Sequence, residues 1–169
     1  METIDNVTEK ELVITRIFNA PRELVFKAWG EAERLAHWWG PKGFTLGVAT
    51  LEFRPGGVFH YSMTSAQGQE MWGKFVYREI EAPERLVFVT SFSNPEGEIT
   101  RAFFSDTWPL EVLNVVTFTE QDGKTTMTLR GGPINATEAE QAAFEGMFGS
   151  MQQGFAGTFD QLETYLASL

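Results

Sequence analysis

Residues 137–168 read TEAEQAAFEGMFGSMQQGFAGTFDQLETYLAS, and the way this stretch buries its apolar side decides the fold. Phe144, Phe148 (or Met147), Met151, Phe155, Phe159 (or Thr158), Leu162 and Leu166 recur three or four residues apart, which is the period of one helix face. Thr137 with Glu140 forms a Thr-x-x-Glu capping box, a helix start signal. The spacing predicts one long helix over 138–168, with Gly146, Gly149, Gly154 and Gly157 as the points where it can break. So long an apolar stripe has to be covered by an equally large surface.

The rest of the chain supplies that surface. Residues 11–19 (ELVITRIFN) are β-branched and read as a strand. In APRELVFKAWG, Pro21 suits the first turn of a helix. Leu24, Val25, Ala28 and Trp29 make its apolar stripe, and Gly30 reads as its stop. A second short helix over 31–39 carries Ala32, Leu35 and Trp39 on one side, and Gly40-Pro41 ends it. Adjacent helical residues point about 100° apart, so Trp39 should face the sheet and Trp38 the domain edge or the next strand. The pair then plugs one end of the core, with Trp39 also placed to wall a pocket.

From residue 44 the period becomes two. Strands are predicted at 44–54, 57–65, 71–82, 85–93, 110–120 and 124–132, bounded by PGG, AQGQ, EAPE and QDG turns. Short strands with tight turns make an antiparallel meander. The order is β, α, α, six β, long α: an α+β fold whose curved sheet wraps the last helix on one face and meets water on the other. The long connection 93–109 carries Phe103, Phe104 and Trp108, which argues for a lid and against disorder.

Net charge is −10, which excludes nucleic acid as a natural partner and disfavours an anionic membrane surface. Cysteine is absent, so disulfides and thiolate metal sites are excluded and a reducing, cytoplasmic setting is expected. No apolar run is long enough for a membrane span, and no signal peptide is visible. Residues 1–10 (METIDNVTEK) read as a flexible lead-in, with a single domain over 11–169. Aromatic residues make up 14% of the chain, fifteen of them phenylalanine. That many rings either fill a core or line an apolar cavity.

Strand alternation selects the inward candidates. Phe59, Tyr61 and Met63 form the apolar side of 57–65, leaving His60 outward as a surface histidine. Phe75 and Tyr77 share a face of the next strand, and Met127 and Leu129 face inward near the end of the sheet. Phe88 is chosen from a strand that is apolar on both faces. With Trp39, Trp108 and the helix residues Met147, Phe148, Met151 and Phe155, these are the candidate ligand-binding residues. Methionine adapts to irregular shapes, and two tyrosine hydroxyls could enter an apolar cavity. Signals for catalysis are thin. His37 and His60 are the only histidines, no metal-ligand motif, phosphate loop or serine elbow occurs, and the carboxylates Glu70, Glu79 and Asp106 fall at strand ends or in the loop. No catalytic residue, metal or cofactor is assigned.

Six stretches in order carry a family resemblance: ITRIFNAPRELVFKAW (14–29), HWWGPKGF (37–44), FRPGGVFHYSM (53–63), GKFVYREIEAPERLVF (73–88), TFTEQDGKTTMTL (117–129) and MQQGFAGTFDQLETYL (151–166). Together they resemble the START-like, or SRPBCC, superfamily, and within it the bacterial branch of the family named after the activator homologue of the heat-shock protein 90 ATPase. The resemblance covers about 11–167. It implies a helix-grip fold, with a seven-stranded curved sheet around the C-terminal helix and two short helices closing one end. One departure is Phe155, where the family usually has tryptophan. Superfamily members bind lipids, steroids or polyketides between sheet and helix, and some are cyclases or aromatases. The expected function is binding of a small hydrophobic molecule, aromatic or lipid-like. A cyclase-like or hydrolytic enzyme and a co-chaperone-like stimulator of a heat-shock ATPase are the alternatives. A chaperone or a second copy of the chain is a possible partner.

Overall fold

The computed structural model describes residues 11–169, so the lead-in expected over 1–10 lies outside the described residues. Seven strands form one antiparallel sheet: β1 (Leu12–Phe18), β2 (Thr45–Leu51), β3 (Val58–Thr64), β4 (Glu70–Glu81), β5 (Arg85–Ser93), β6 (Val112–Gln121) and β7 (Lys124–Pro133). Their spatial order is β1-β7-β6-β5-β4-β3-β2. Strands β2 to β7 are a meander of neighbours. The chain crosses from one sheet edge to the other only between β1 and β2, through α1 (Arg22–Gly30) and α2 (Ala32–Trp38). The register shifts at Val48/Thr50 and Tyr77/Glu79 insert bulges, which increase local twist and bend the sheet. This is the helix-grip architecture expected from the sequence.

The C-terminal stretch is two helices, α3 (Glu138–Gly146) and α4 (Phe148–Ala167), meeting at Met147. Among the four glycines, the break therefore falls beside Gly146, and the other three lie within α4. The capping box is complete: Thr137 Oγ1 accepts from the Glu140 N–H at 3.1 Å, and Glu140 Oε1 accepts from the Thr137 N–H at 2.9 Å. At the start of α1, Pro21 is one residue earlier than predicted, in the capping position. Its carbonyl takes the first helical bonds, while Glu120 from the β6–β7 end satisfies the free Arg22 N–H. Gly30 ends α1 under the Phe53 ring, where a Cβ would lie 2.7 Å from a ring carbon.

The tryptophan pair behaves differently from the helical projection. Trp38 is 1% exposed, whereas Trp39 is only partly buried. The reason is that α2 stops at Trp38, and Trp39 has extended backbone angles (φ −73°, ψ 128°). Trp38 thus turns into the core, where its indole N–H donates to the Ala28 carbonyl at 3.1 Å. That carbonyl lies in the last turn of α1, where no intrahelical donor reaches it. Trp39 leaves the helix toward the sheet and packs at right angles on Phe75, 5.2 Å away. Trp29 is the hub of this end, with no exposure and its ring 4.8 Å from Trp38, 6.0 Å from Phe88 and 6.4 Å from Phe159.

The outer sheet face is less wet than expected. Val87, Val89, Leu113 and Val115 form a separate buried cluster there. They are cross-strand partners, Val87 with Val115 and Val89 with Leu113, and such pairs shield each other. His60 also faces outward, but it is not a surface histidine. It is 8% exposed, packs 4.9 Å from the Trp72 ring and meets the Asn94 carbonyl at 3.2 Å, under the turn that follows β5.

Trp29 and Trp38 differ in one polar contact. The Trp29 indole N–H is buried without a partner among the described residues, whereas the Trp38 N–H caps α1. Trp38→Phe should therefore destabilise the protein by about 1 kcal/mol more than Trp29→Phe, although both lose the same ring atoms. Urea unfolding midpoints at matched slopes measure this, and equal losses would remove the role assigned to the Ala28 contact.

Candidate functional site

A cavity of about 370 Å³ lies between the sheet and α4, on the side away from Trp29. Each wall comes from a different element. Phe88, Thr90 and Phe92 enter from β5, Val112 and Asn114 from β6, Leu129 and Gly131 from β7, and Tyr61 and Met63 from β3. Trp39, Gly40 and Pro41 close the end at the α2–β2 turn. Trp108 and Pro109 come from the β5–β6 connection, and Phe144, Met151, Gly154, Phe155 and Thr158 from the helices.

The hollow has a local cause. Thr158 Oγ1 donates to the Gly40 carbonyl at 3.0 Å. Gln161 Nε2 donates to the same carbonyl at 2.8 Å and to that of Trp38 at 3.2 Å. These bonds tie the C-terminal half of α4 to the turn after α2, and there Phe159 and Leu162 fill the core completely. One turn earlier the helix presents Gly154, and β7 presents Gly131 across the gap. A Cβ on Gly154 would meet nothing within 4 Å. Gly131 is buried and leaves room on the sheet side, while Gly154 is exposed and stands at the open border of the cavity.

Of the candidate residues read from the sequence, the structure brings Trp39, Tyr61, Met63, Phe88, Trp108, Met151 and Phe155 to the cavity wall. Phe59, Phe75, Tyr77 and Met127 do not line it. They are fully buried in the packed core beside it. Met147 and Phe148 lie at the α3–α4 junction, packed on the cluster of Leu12, Ala102, Trp108 and Phe144. The polar and small lining residues Thr90, Ser91, Asn114, Gly131 and Gly154 were missed, because a search for apolar alternation passes over them. The signal for Asn114 was a polar residue on the inward face of a valine-rich strand.

The electrostatics of the wall are simple. Among the described residues, no Asp, Glu, Lys, Arg or His lines the cavity, and no group of His, Asp and Glu is arranged to hold a metal. Burial pushes the Tyr61 hydroxyl up to about 12. The nearby Trp39 indole N–H opposes this, yet it does not reach hydrogen-bond geometry and is itself buried without a partner among the described residues. Tyr77 is also raised by burial, and its hydroxyl has no partner among the described residues. Both tyrosines are neutral at physiological pH, so they can act as hydrogen-bonding groups there but not as bases. The carboxylates considered earlier lie elsewhere: Glu70 is exposed and accepts from Trp72 Nε1, Glu79 pairs with Arg85 at 2.5 Å, and Asp106 is exposed in the loop.

Solved structures share this architecture. A Mycobacterium smegmatis protein is 25% identical, with a TM-score of 0.75 over 99% of this chain and 96% of the other. A Staphylococcus epidermidis protein is 25% identical, with a TM-score of 0.76 over 96% and 92%. An Arthrobacter aurescens protein, 23% identical, shares the fold with a TM-score of 0.79 over 100% and 91%. No curated protein matches the chain. No helix among the described residues is long and apolar enough to cross a membrane. The family model described as "Activator of Hsp90 ATPase homolog 1-like protein" matches residues 19–167, which is most of the chain, and the protein belongs to that family.

Proposed function

We propose that the protein binds a small hydrophobic molecule in the cavity between the sheet and α4. The observation that carries this reading is the cavity itself, about 370 Å³ with no charged side chain in its described wall. That volume lies within the ordinary range of small-molecule sites, which are mostly apolar with a few polar groups. The family's fold commonly holds hydrophobic ligands, which supports the same reading. Trp39, Tyr61, Met63, Phe88, Trp108, Met151 and Phe155 are the wall residues assigned to the ligand.

The β5–β6 connection borders the cavity and carries Trp108 over Phe144, 5.5 Å between ring centres. One ion pair fastens this segment to α3. Arg101 donates to Glu140 at 2.5 Å and to the Trp108 carbonyl at 3.0 Å. The Arg101 guanidinium and the Thr137 backbone N–H hold the Glu140 carboxyl below its ordinary value of 4.5. The sign follows: a depressed carboxyl contributes fully above its unfolded value and loses that contribution as pH falls through the folded one.

Native mass spectrometry of freshly purified protein tests the reading. The expected result is a retained small apolar molecule, released by denaturation and organic extraction. Gly154→Leu should narrow the open border of the cavity and weaken retention while raising helix stability by about 0.5–1 kcal/mol, since glycine is a poor residue inside a helix. A clean wild-type mass, with no binding of added uncharged polycyclic aromatics, would remove the proposal. For the clasp, Glu140→Gln should speed amide exchange across residues 94–111 and ligand release at neutral pH. The wild type should reproduce that release only at pH below the ordinary carboxylate range. Identical exchange in the two proteins would show that the ion pair does not hold the segment.

A further inference from the structure

One wall residue fixes the chemistry of the ligand more narrowly. Asn114 is 6% exposed and sits on the concave face of β6, opposite Phe88 on one side and Gly131 on the other. Its amide orientation follows from its partners. Nδ2 lies 3.1 Å from the Val112 carbonyl and 3.2 Å from Thr90 Oγ1. A carbonyl can only accept, so the nitrogen and not the oxygen faces it. Oδ1 therefore points the other way, toward Gly131. A Cβ at Gly131 would stand 3.0 Å from Oδ1, so the glycine leaves the room that this oxygen occupies. Asn114 and Gly131 both line the cavity, and the side-chain hydrogen bonds of Asn114 among the described residues run through Nδ2, leaving Oδ1 without one. An acceptor on the cavity wall has to be given a donor by whatever covers it, or the covering ligand loses affinity.

Resting on the cavity reading above, we propose that the ligand is uncharged and carries a hydroxyl or N–H that donates to Asn114 Oδ1. Its remaining surface is apolar and meets Phe88, Trp108, Met151 and Phe155. A carboxylate ligand is disfavoured twice. It would find no cation in the described wall, and it would present a second acceptor to the Asn114 oxygen. The chain's net charge of −10 adds repulsion at a distance.

Four related probes test this by tryptophan fluorescence and calorimetric titration: phenanthrene, phenanthrol, the methyl ether of phenanthrol, and phenanthrene carboxylate. Phenanthrol should bind about 3- to 10-fold tighter than its methyl ether, the worth of one hydrogen bond. The carboxylate should be the weakest. Asn114→Leu should abolish the preference for phenanthrol over the ether. If phenanthrene binds but phenanthrol gains nothing over the ether, or if Asn114→Leu retains the preference, the donor assignment is overturned and the cavity reading stands. Carboxylate binding equal to that of phenanthrol would overturn the uncharged class. If none of the three neutral probes binds, the cavity reading falls and this inference falls with it. Should Asn114→Leu fail to fold, the wild-type comparison of phenanthrol with its ether still decides.

Discussion

The attachment of α4 to the turn after α2 is the constraint on which the interior depends. Gln161 and Thr158 take the carbonyls of Trp38 and Gly40, groups exposed by the end of a helix and by a residue at φ +111°. Arg16 on β1 holds the same part of the helix from the other side, through Asp160 at 2.5 Å and Glu163 at 2.8 Å. The surface ion pairs alone would be weak. The hydrogen bonds to backbone carbonyls are buried at Thr158 and part-buried at Gln161, and they fix the height of α4 above the sheet. Once that height is set by Phe159 and Leu162 at one end, the space under Gly154 at the other end follows from geometry.

The adjacent tryptophans acquire their meaning from the same constraint. Trp38 caps α1 and fills the closed end, while Trp39 leaves the helix and reaches the sheet at the border of the cavity. One pair of neighbouring residues thus divides packed core from hollow. Gly40-Pro41 places this division, because it turns the chain toward β2 directly after Trp39.

Much of this was legible in the sequence. The 3.6-residue stripe of 144–166, the capping box at Thr137 and Glu140 and the period-two strands all report backbone geometry that local chemistry enforces. They point to an α+β fold whose curved sheet wraps the last helix, and the family resemblance adds the helix-grip arrangement. The closing helix break at Met147 and the direction of Trp38 were harder. The first lies inside a stripe that runs on to Leu166, and the second follows from α2 ending at Trp38, one residue before its stripe; a periodicity registers neither. His60 was read correctly as outward but wrongly as exposed, since its cover comes from a turn more than thirty residues away. The cavity itself was legible only in part. Its aromatic wall follows from strand parity, but the glycines on its wall, Gly131 and Gly154, carry no pattern of their own. Absence of a side chain reads in sequence as a turn or a break.

A hollow lined with apolar groups tends to collapse, and the aromatic content explains why this one stands. Phe88 is stacked on Phe75 with centroids 4.3 Å apart and planes 12° from parallel, and Trp39 abuts the same Phe75 ring. Phe155 is stacked on Phe159 at 24°. Each of these wall rings is therefore braced by another ring behind it, and rings have few rotamers through which to move. The core residues that do not touch the cavity, Phe75 and Phe59 among them, act as this bracing. Set between the braced rings are Met63, Met71 and Met151, whose flexible side chains can conform to a guest. A rigid frame with yielding insets holds shape without demanding one outline. Discrimination must then come from the polar groups of the wall, and the fixed amide of Asn114 is the one whose oxygen is left to be met.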